Sequence, residues 1–161
     1  MPDMRFCISI LICLIFSFSA IADVVGSARV IDGDTIIIGE TKIELWGYDA
    51  PEHLQPCTVK GKPWKCGEAA TAHLKAFIVN KQVSCVERGI GRAGRSVFKC
   101  AVGSLDVGAE LVEVGLAVPD WNNGGEYYLQ SFKEARGLAQ GMHKGSFVVP
   151  WTWRKLNSSA D

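Results

Sequence analysis

Neither charge dominates this chain: 17 Lys and Arg stand against 17 Asp and Glu. That balance excludes a protein that coats nucleic acid by bulk charge, so any site for a polyanion has to be local. There is no internal repeat and no low-complexity linker, and 161 residues suit a single core. Histidines are few, and no cysteine pair has the tight C-x₂₋₄-C spacing of a structural zinc clasp. Long apolar runs are scarce as well. The one at the N-terminus, Phe6 to Phe18, is apolar apart from Ser9 and Ser17, and falls short of the roughly 20 residues a spanning helix needs. What the chain does have is 48% hydrophobic content, enough to exclude a disordered polyelectrolyte.

The N-terminal run follows Arg5 and ends in Ser19-Ala20-Ile21-Ala22 before Asp23. A short charged start, an apolar stretch and an Ala-x-Ala exit describe a secretory signal peptide. The expectation is cleavage after Ala22, one domain over 23–161, and a secreted or periplasmic protein with no stable membrane association. Cys7 and Cys13 leave with that segment. The remaining four, Cys57, Cys66, Cys85 and Cys100, favour two disulfides in an exported domain. Of the three pairings the sequential one, Cys57–Cys66 with Cys85–Cys100, is favoured, because the segments around Cys85 and Cys100 read as two strands of one hairpin. The rival is zinc, held by Cys57 and Cys66 with His53 or His73.

Short stretches rich in Val and Ile predict strands over Val24 to Ile31, Thr35 to Ile38 and Lys42 to Tyr48, separated by Asp-Gly and Gly-Glu turn signals. An irregular loop is expected from Pro51 to Cys66. A helix follows from Gly67 to Asn80, with Ala70, Leu74, Phe77 and Ile78 on one face. Two strands then surround Cys85 and Cys100. Asp106 is placed to cap a second helix that Gly115 stops, and a third runs from about Glu126 to Ala139. This order predicts a mainly β, α+β fold: a five-stranded barrel with three helices packed on it.

The chemistry concentrates between Arg29 and Glu52. Asp32 and Asp34 are two apart, so on extended backbone they face one way. Asp49 and Glu52 follow the third strand, and pairing of the second and third strands through Gly39 brings Asp34 to the same barrel mouth. Such a set of hard oxygen donors suits a cation like Ca²⁺. Each piece by itself is ordinary turn chemistry.

Taken together, Val30-Ile31-Asp32-Gly33-Asp34-Thr35 and Leu45-Trp46-Gly47-Tyr48-Asp49-Ala50-Pro51-Glu52 resemble the staphylococcal nuclease (thermonuclease) family. So, more weakly, do Gly94-Arg95, Gly115-Leu116-Ala117 and the ending Phe147-Val148-Val149-Pro150-Trp151-Thr152-Trp153-Arg154. The resemblance implies an OB-fold barrel and a Ca²⁺-dependent phosphodiesterase that cuts DNA or RNA as a monomer. It puts Asp34 and Asp49 on the calcium-ligating aspartates and Ala50 where a backbone carbonyl meets the ion. Glu52 falls on the glutamate that orients or deprotonates the attacking water, and Arg95 on an arginine that holds the scissile phosphate.

Two positions depart from that pattern. Glu44 stands where the family has its second phosphate-clamping arginine, and Ala93 where an aromatic helps hold the nucleotide. One lost donor of this kind costs about 10²–10³ in rate, so weak or altered activity is expected. Lys42, Arg88 or Arg92 could supply a substitute cation, and Glu44 could instead tighten cation binding. Arg92 and Trp121 join the substrate-binding candidates, Trp121 as a base-stacking ring, while Trp151 and Trp153 read as pins for the C-terminal tail. The rival function is a non-catalytic module of the same fold, binding nucleic acid or another protein.

Overall fold

The structure, a computed structural model, describes residues 23–157; the predicted signal segment, 1–22, lies outside them. The first strands form a meander: β1 (Asp23–Val30), β2 (Thr35–Ile38) and β3 (Thr41–Leu45). After β4 (Tyr48–Asp49) come a small hairpin, β5 (Cys57–Val59) and β6 (Lys62–Trp64), and the helix α1 (Cys66–Ile78). Then follow β7 (Gln82–Ile90), β8 (Ser96–Val102), β9 (Leu105–Asp106), α2 (Val107–Glu113), β10 (Val118–Pro119), α3 (Leu129–Gly137) and α4 (Pro150–Asn157).

β3, β2, β1, β7 and β8 pair antiparallel in that order, and β3 meets β8 in parallel through Glu44↔Val97 and Leu45↔Phe98. The sheet therefore closes into the expected five-stranded barrel, which leaves none of these five strands as an open edge. β1 alternates exposed and half-buried residues along its whole length, the period-2 pattern of a barrel wall. Inside, Ile36, Ile43 and Val83 meet Leu74 and Ile78 of α1 and Leu111 of α2. Burial of each such side chain contributes about 1.5–3 kcal/mol.

The helices form where the sequence places them. α1 buries Ala70, Leu74 and Ile78 at i, i+4 and i+8. Asp106 caps α2, its Oδ1 accepting the N–H groups of Gly108 at 2.8 Å and Ala109 at 3.0 Å. Cys85 and Cys100 are cross-strand partners joined by a disulfide, and Cys57 is joined to Cys66. The zinc alternative is thereby overturned.

Three expectations need correction. The loop from Pro51 to Cys66 is not wholly irregular: it contains the β5–β6 hairpin, turned through Lys60 and Gly61, both at positive φ (50° and 73°). The third strand ends at Leu45, because Tyr48 and Asp49 leave the barrel to pair with β10. There are four α-helices among the described residues rather than three. The fourth, α4, starts at Pro150, a residue pre-set for the first helical turn.

Candidate active site

Asp34 reaches the barrel mouth through a bend. The Asp34 N–H donates to Asp32 Oδ1 at 3.1 Å, so Asp32 is turn chemistry in the way its sequence context suggests. Gly33 makes the bend possible: a Cβ there would stand 2.6 Å from that of Ala50 and 3.0 Å from that of Ala70. The register then does the rest. Thr35 pairs with Glu44, and the Leu45 N–H donates to the Asp34 carbonyl at 2.8 Å. Asp34, Glu44 and Asp49 thus converge from three chain segments and are 7%, 6% and 1% exposed. Ala50 contributes its backbone N–H to Asp34 Oδ2 at 3.2 Å. Glu52 sits at the start of the following loop, braced by α1. Gly67 lies so close beneath that a Cβ there would overlap the Glu52 carbonyl oxygen.

Three arginines answer these acids. Arg92 donates from Nη1 to Asp49 Oδ1 at 2.7 Å, from Nε to Glu44 Oε1 at 3.0 Å, and from Nη2 to Asp34 Oδ2 at 3.3 Å. Arg95 pairs with the other Glu44 oxygen, Oε2, through Nη2 at 2.8 Å and Nε at 3.0 Å. Glu44 therefore acts as the anchor of the arginine-bearing loop between β7 and β8. The third is Arg154 of α4. Its Nη1 donates to Glu52 Oε1 at 2.7 Å and to Asp49 Oδ1 at 2.9 Å, and its Nη2 to Asp49 Oδ2 at 2.8 Å. Asp32, Asp34, Glu44, Glu52, Lys42 and the three arginines line one open cleft of about 340 Å³.

Burial, and then the charge of Asp34, push the carboxyls of Asp49 and Glu52 above their ordinary range, while Arg92 pulls both down. Burial disfavours the Arg92 charge, but Asp49, Asp34 and Glu44 outweigh it and hold the guanidinium protonated.

The donor set fits a hard divalent ion to a limited extent. Arg92 meets Asp49 Oδ1 at 2.7 Å and Asp34 Oδ2 at 3.3 Å, so the two carboxyls stand within reach of a single cation, as hard-ion ligands do. Among the described residues, however, no three His, Cys, Asp or Glu side chains are arranged as a cage. A bound ion would take its remaining ligands from water or substrate, and it would compete for carboxylate oxygens already shared with guanidinium groups.

Other candidates sit elsewhere. Arg88 is exposed on β7, and Lys99 is spent on Asp106 Oδ2 at 2.9 Å and on the Tyr127 hydroxyl. Trp121 packs edge-on against Phe132 and is half exposed. Its neighbours Asp120, Asn122 and Asn123 line a second hollow of about 250 Å³, with Asp49 on its wall, that shares Arg92 with the first. The aromatic in that hollow is Trp151. Sequence reasoning missed three residues here: Trp151, read as a pin for the tail, Arg154, named only within the family-like ending, and Gln55. Gln55 is fully buried, accepts the Glu52 N–H at 3.3 Å and donates from Nε2 to the Val148 carbonyl at 2.6 Å. Spacing three apart on a helix was the only sign that Trp151 and Arg154 share a face; nothing local marks Gln55.

Residues 42–146 match the family model described as staphylococcal nuclease homologue. The chain is also 38% identical over 108 residues to a protein of Rhizobium meliloti (strain 1021) named succinoglycan biosynthesis protein ExoI, the match covering 65% of this chain. It spans 56% of that relative's length.

Proposed function

The chain belongs to the staphylococcal nuclease homologue family, and from that premise we propose that it is an exported phosphodiesterase hydrolysing DNA or RNA with the help of calcium. The observation that carries this reading is the convergence of Asp34, Glu52 and Arg95 on one cleft, with Asp49 joined to it through Arg92 and Arg154. Asp34 and Asp49 are the residues that would hold the ion. When bound it polarises the phosphoryl group and offsets charge on its oxygens. Glu52, whose carboxyl is raised by its surroundings, orients the water and takes its proton, as a base tuned upward toward working pH does. Arg95 lies at the rim with its side chain 55% exposed, where its fork can turn from Glu44 to a phosphate oxygen. Export is supported by the two disulfides. No helix among the described residues is long and apolar enough to cross a membrane.

A second reading rests on one observation: guanidinium groups already occupy most of the carboxylate oxygens in the cleft. That near-balance favours a non-catalytic nucleic-acid-binding module. Incubation of the exported protein with single-stranded DNA and CaCl₂, beside Glu52→Gln, separates the two. Calcium-dependent cleavage that disappears in the variant supports the enzyme. Salt-sensitive binding without cleavage under any divalent ion supports the module.

A further inference from the structure

Arg154 and Trp151 enter the cleft from α4, an element that the matched region, residues 42–146, does not include. We propose that α4 is a working wall of the site, with Arg154 as a phosphate-clamping catalytic residue and Trp151 as a stacking platform for the adjoining base. The proposal rests on the nucleic-acid reading above.

The geometry is specific. Arg154 addresses two different carboxylates, both Oδ atoms of Asp49 and Oε1 of Glu52, at 2.7–2.9 Å. A guanidinium held across the proposed water-activating residue and an ion-side aspartate is adjacent to where a scissile phosphate must sit. It exchanges a carboxylate for a phosphate with little change of geometry, because its fork matches both. Trp151 is 41% exposed and lines the neighbouring hollow with Asp120, Asn122 and Asn123, polar groups suited to the edge of a base. The two side chains stand three residues apart on one helical face, so a single strand can meet both. The site lacks a guanidinium at position 44 and an aromatic side chain at position 93, and α4 provides one of each.

α4 is also held firmly enough for the task. Ser146 bridges Thr58 of the disulfide-closed hairpin in both directions, at 2.8 and 2.9 Å. Gln55 ties the Val148 carbonyl to the loop carrying Glu52. Pro150 is buried, and the Val149 carbonyl accepts the N–H groups of Thr152 and Trp153 at 3.0 Å.

The test measures steady-state cleavage of a single-stranded DNA oligonucleotide with CaCl₂, and binding of the same labelled oligonucleotide, for wild type, Arg154→Gln, Arg154→Lys, Trp151→Ala and Trp151→Phe. Arg154→Gln is expected to lower kcat by about 10²–10³, with Arg154→Lys recovering part of it as a charge without a fork. Trp151→Ala is expected to raise KM about tenfold with kcat near wild type, and Trp151→Phe to restore KM. Should Arg154→Gln misfold by circular dichroism, Arg154→Lys carries the same comparison. Cleavage by Arg154→Gln within threefold of wild type, or faster, overturns the proposal. If wild type itself does not cleave, the nuclease reading falls and binding decides: Kd raised about tenfold in Arg154→Gln and Trp151→Ala keeps the α4 assignment, and unchanged Kd removes it.

Discussion

The acidic and basic halves of the cleft are supported by different kinds of structure. Asp34 and Glu44 sit on barrel strands or within a residue of one, Asp49 sits on β4, and all three are nearly excluded from solvent. Arg92 and Arg95 come from the β7–β8 loop and Arg154 from the terminal helix, with side chains 32%, 55% and 28% exposed. The acids are therefore positioned by backbone hydrogen bonds that exist with or without the arginines. The arginines are positioned by the acids. Damage to the first half should remove chemistry or folding; damage to the second should alter substrate handling while leaving the barrel intact.

The largest effect expected is that of Glu52→Gln, a loss of about 10²–10⁴ in cleavage rate, the usual contribution of a general base. In wild type the rate should rise with pH through the Glu52 titration. Burial and Asp34 place that titration above the ordinary glutamate value, so a pH–rate profile whose acid limb centres at or below it would contradict the assigned role. Glu44→Arg probes the dependence of the basic half. Three guanidinium groups would then crowd a position that is 6% exposed. Breaking a buried pair in this way costs about 3–5 kcal/mol, read as a lower midpoint in urea. A variant as stable as wild type would mean that Glu44 anchors nothing.

The two disulfides sharpen the contrast. Each closes a short loop, and removing either should cost up to about 3 kcal/mol. Their kinetic effects should differ. Cys85–Cys100 joins strands already paired in the barrel wall, so Cys85→Ser with Cys100→Ser should leave kcat/KM close to wild type below the melting point. Cys57–Cys66 closes the hairpin that holds the strap to α4, so Cys57→Ser with Cys66→Ser should lower kcat/KM about tenfold, an estimate for a misplaced donor. Equal kinetics in the two double variants would remove that distinction.

The smallest effect lies away from the cleft, at His143, packed between the rings of Phe132 and Phe147. Burial, then the charge of Arg136, lower its pKa below the ordinary value of 6.5. As pH falls through 6.5 the unfolded chain takes up a proton that the folded chain refuses, so stability declines until the folded pKa is passed. Thermal melts between pH 7 and pH 5 should show the decline, and His143→Phe should flatten it.

Much of the acidic half was legible in the linear chain. Asp34, Asp49 and Glu52 lie within nineteen positions of one another, on a meander whose turn signals are local. The barrel followed from short Val- and Ile-rich runs, and the disulfide pairing from cysteines facing each other across a hairpin. Trp151 was misread and Arg154 was given no role, because Asp49, Asn122 and Asn123 are distant from them in sequence and pattern reasoning sees only neighbours. The β5–β6 hairpin was missed for another reason: with three residues per strand and a Pro inside, it has too little alternation to register.

The amino-acid order by itself determined the barrel, the family, the oxidised cysteines and the acids at one mouth, because periodicity, turn residues and capping act over a few positions. Which cations meet those acids was decided only on closure of the fold. A guanidinium at position 154 can neutralise a carboxylate at position 49 only after a disulfide-tied hairpin and a buried glutamine have carried the helix there, and no local propensity encodes that approach.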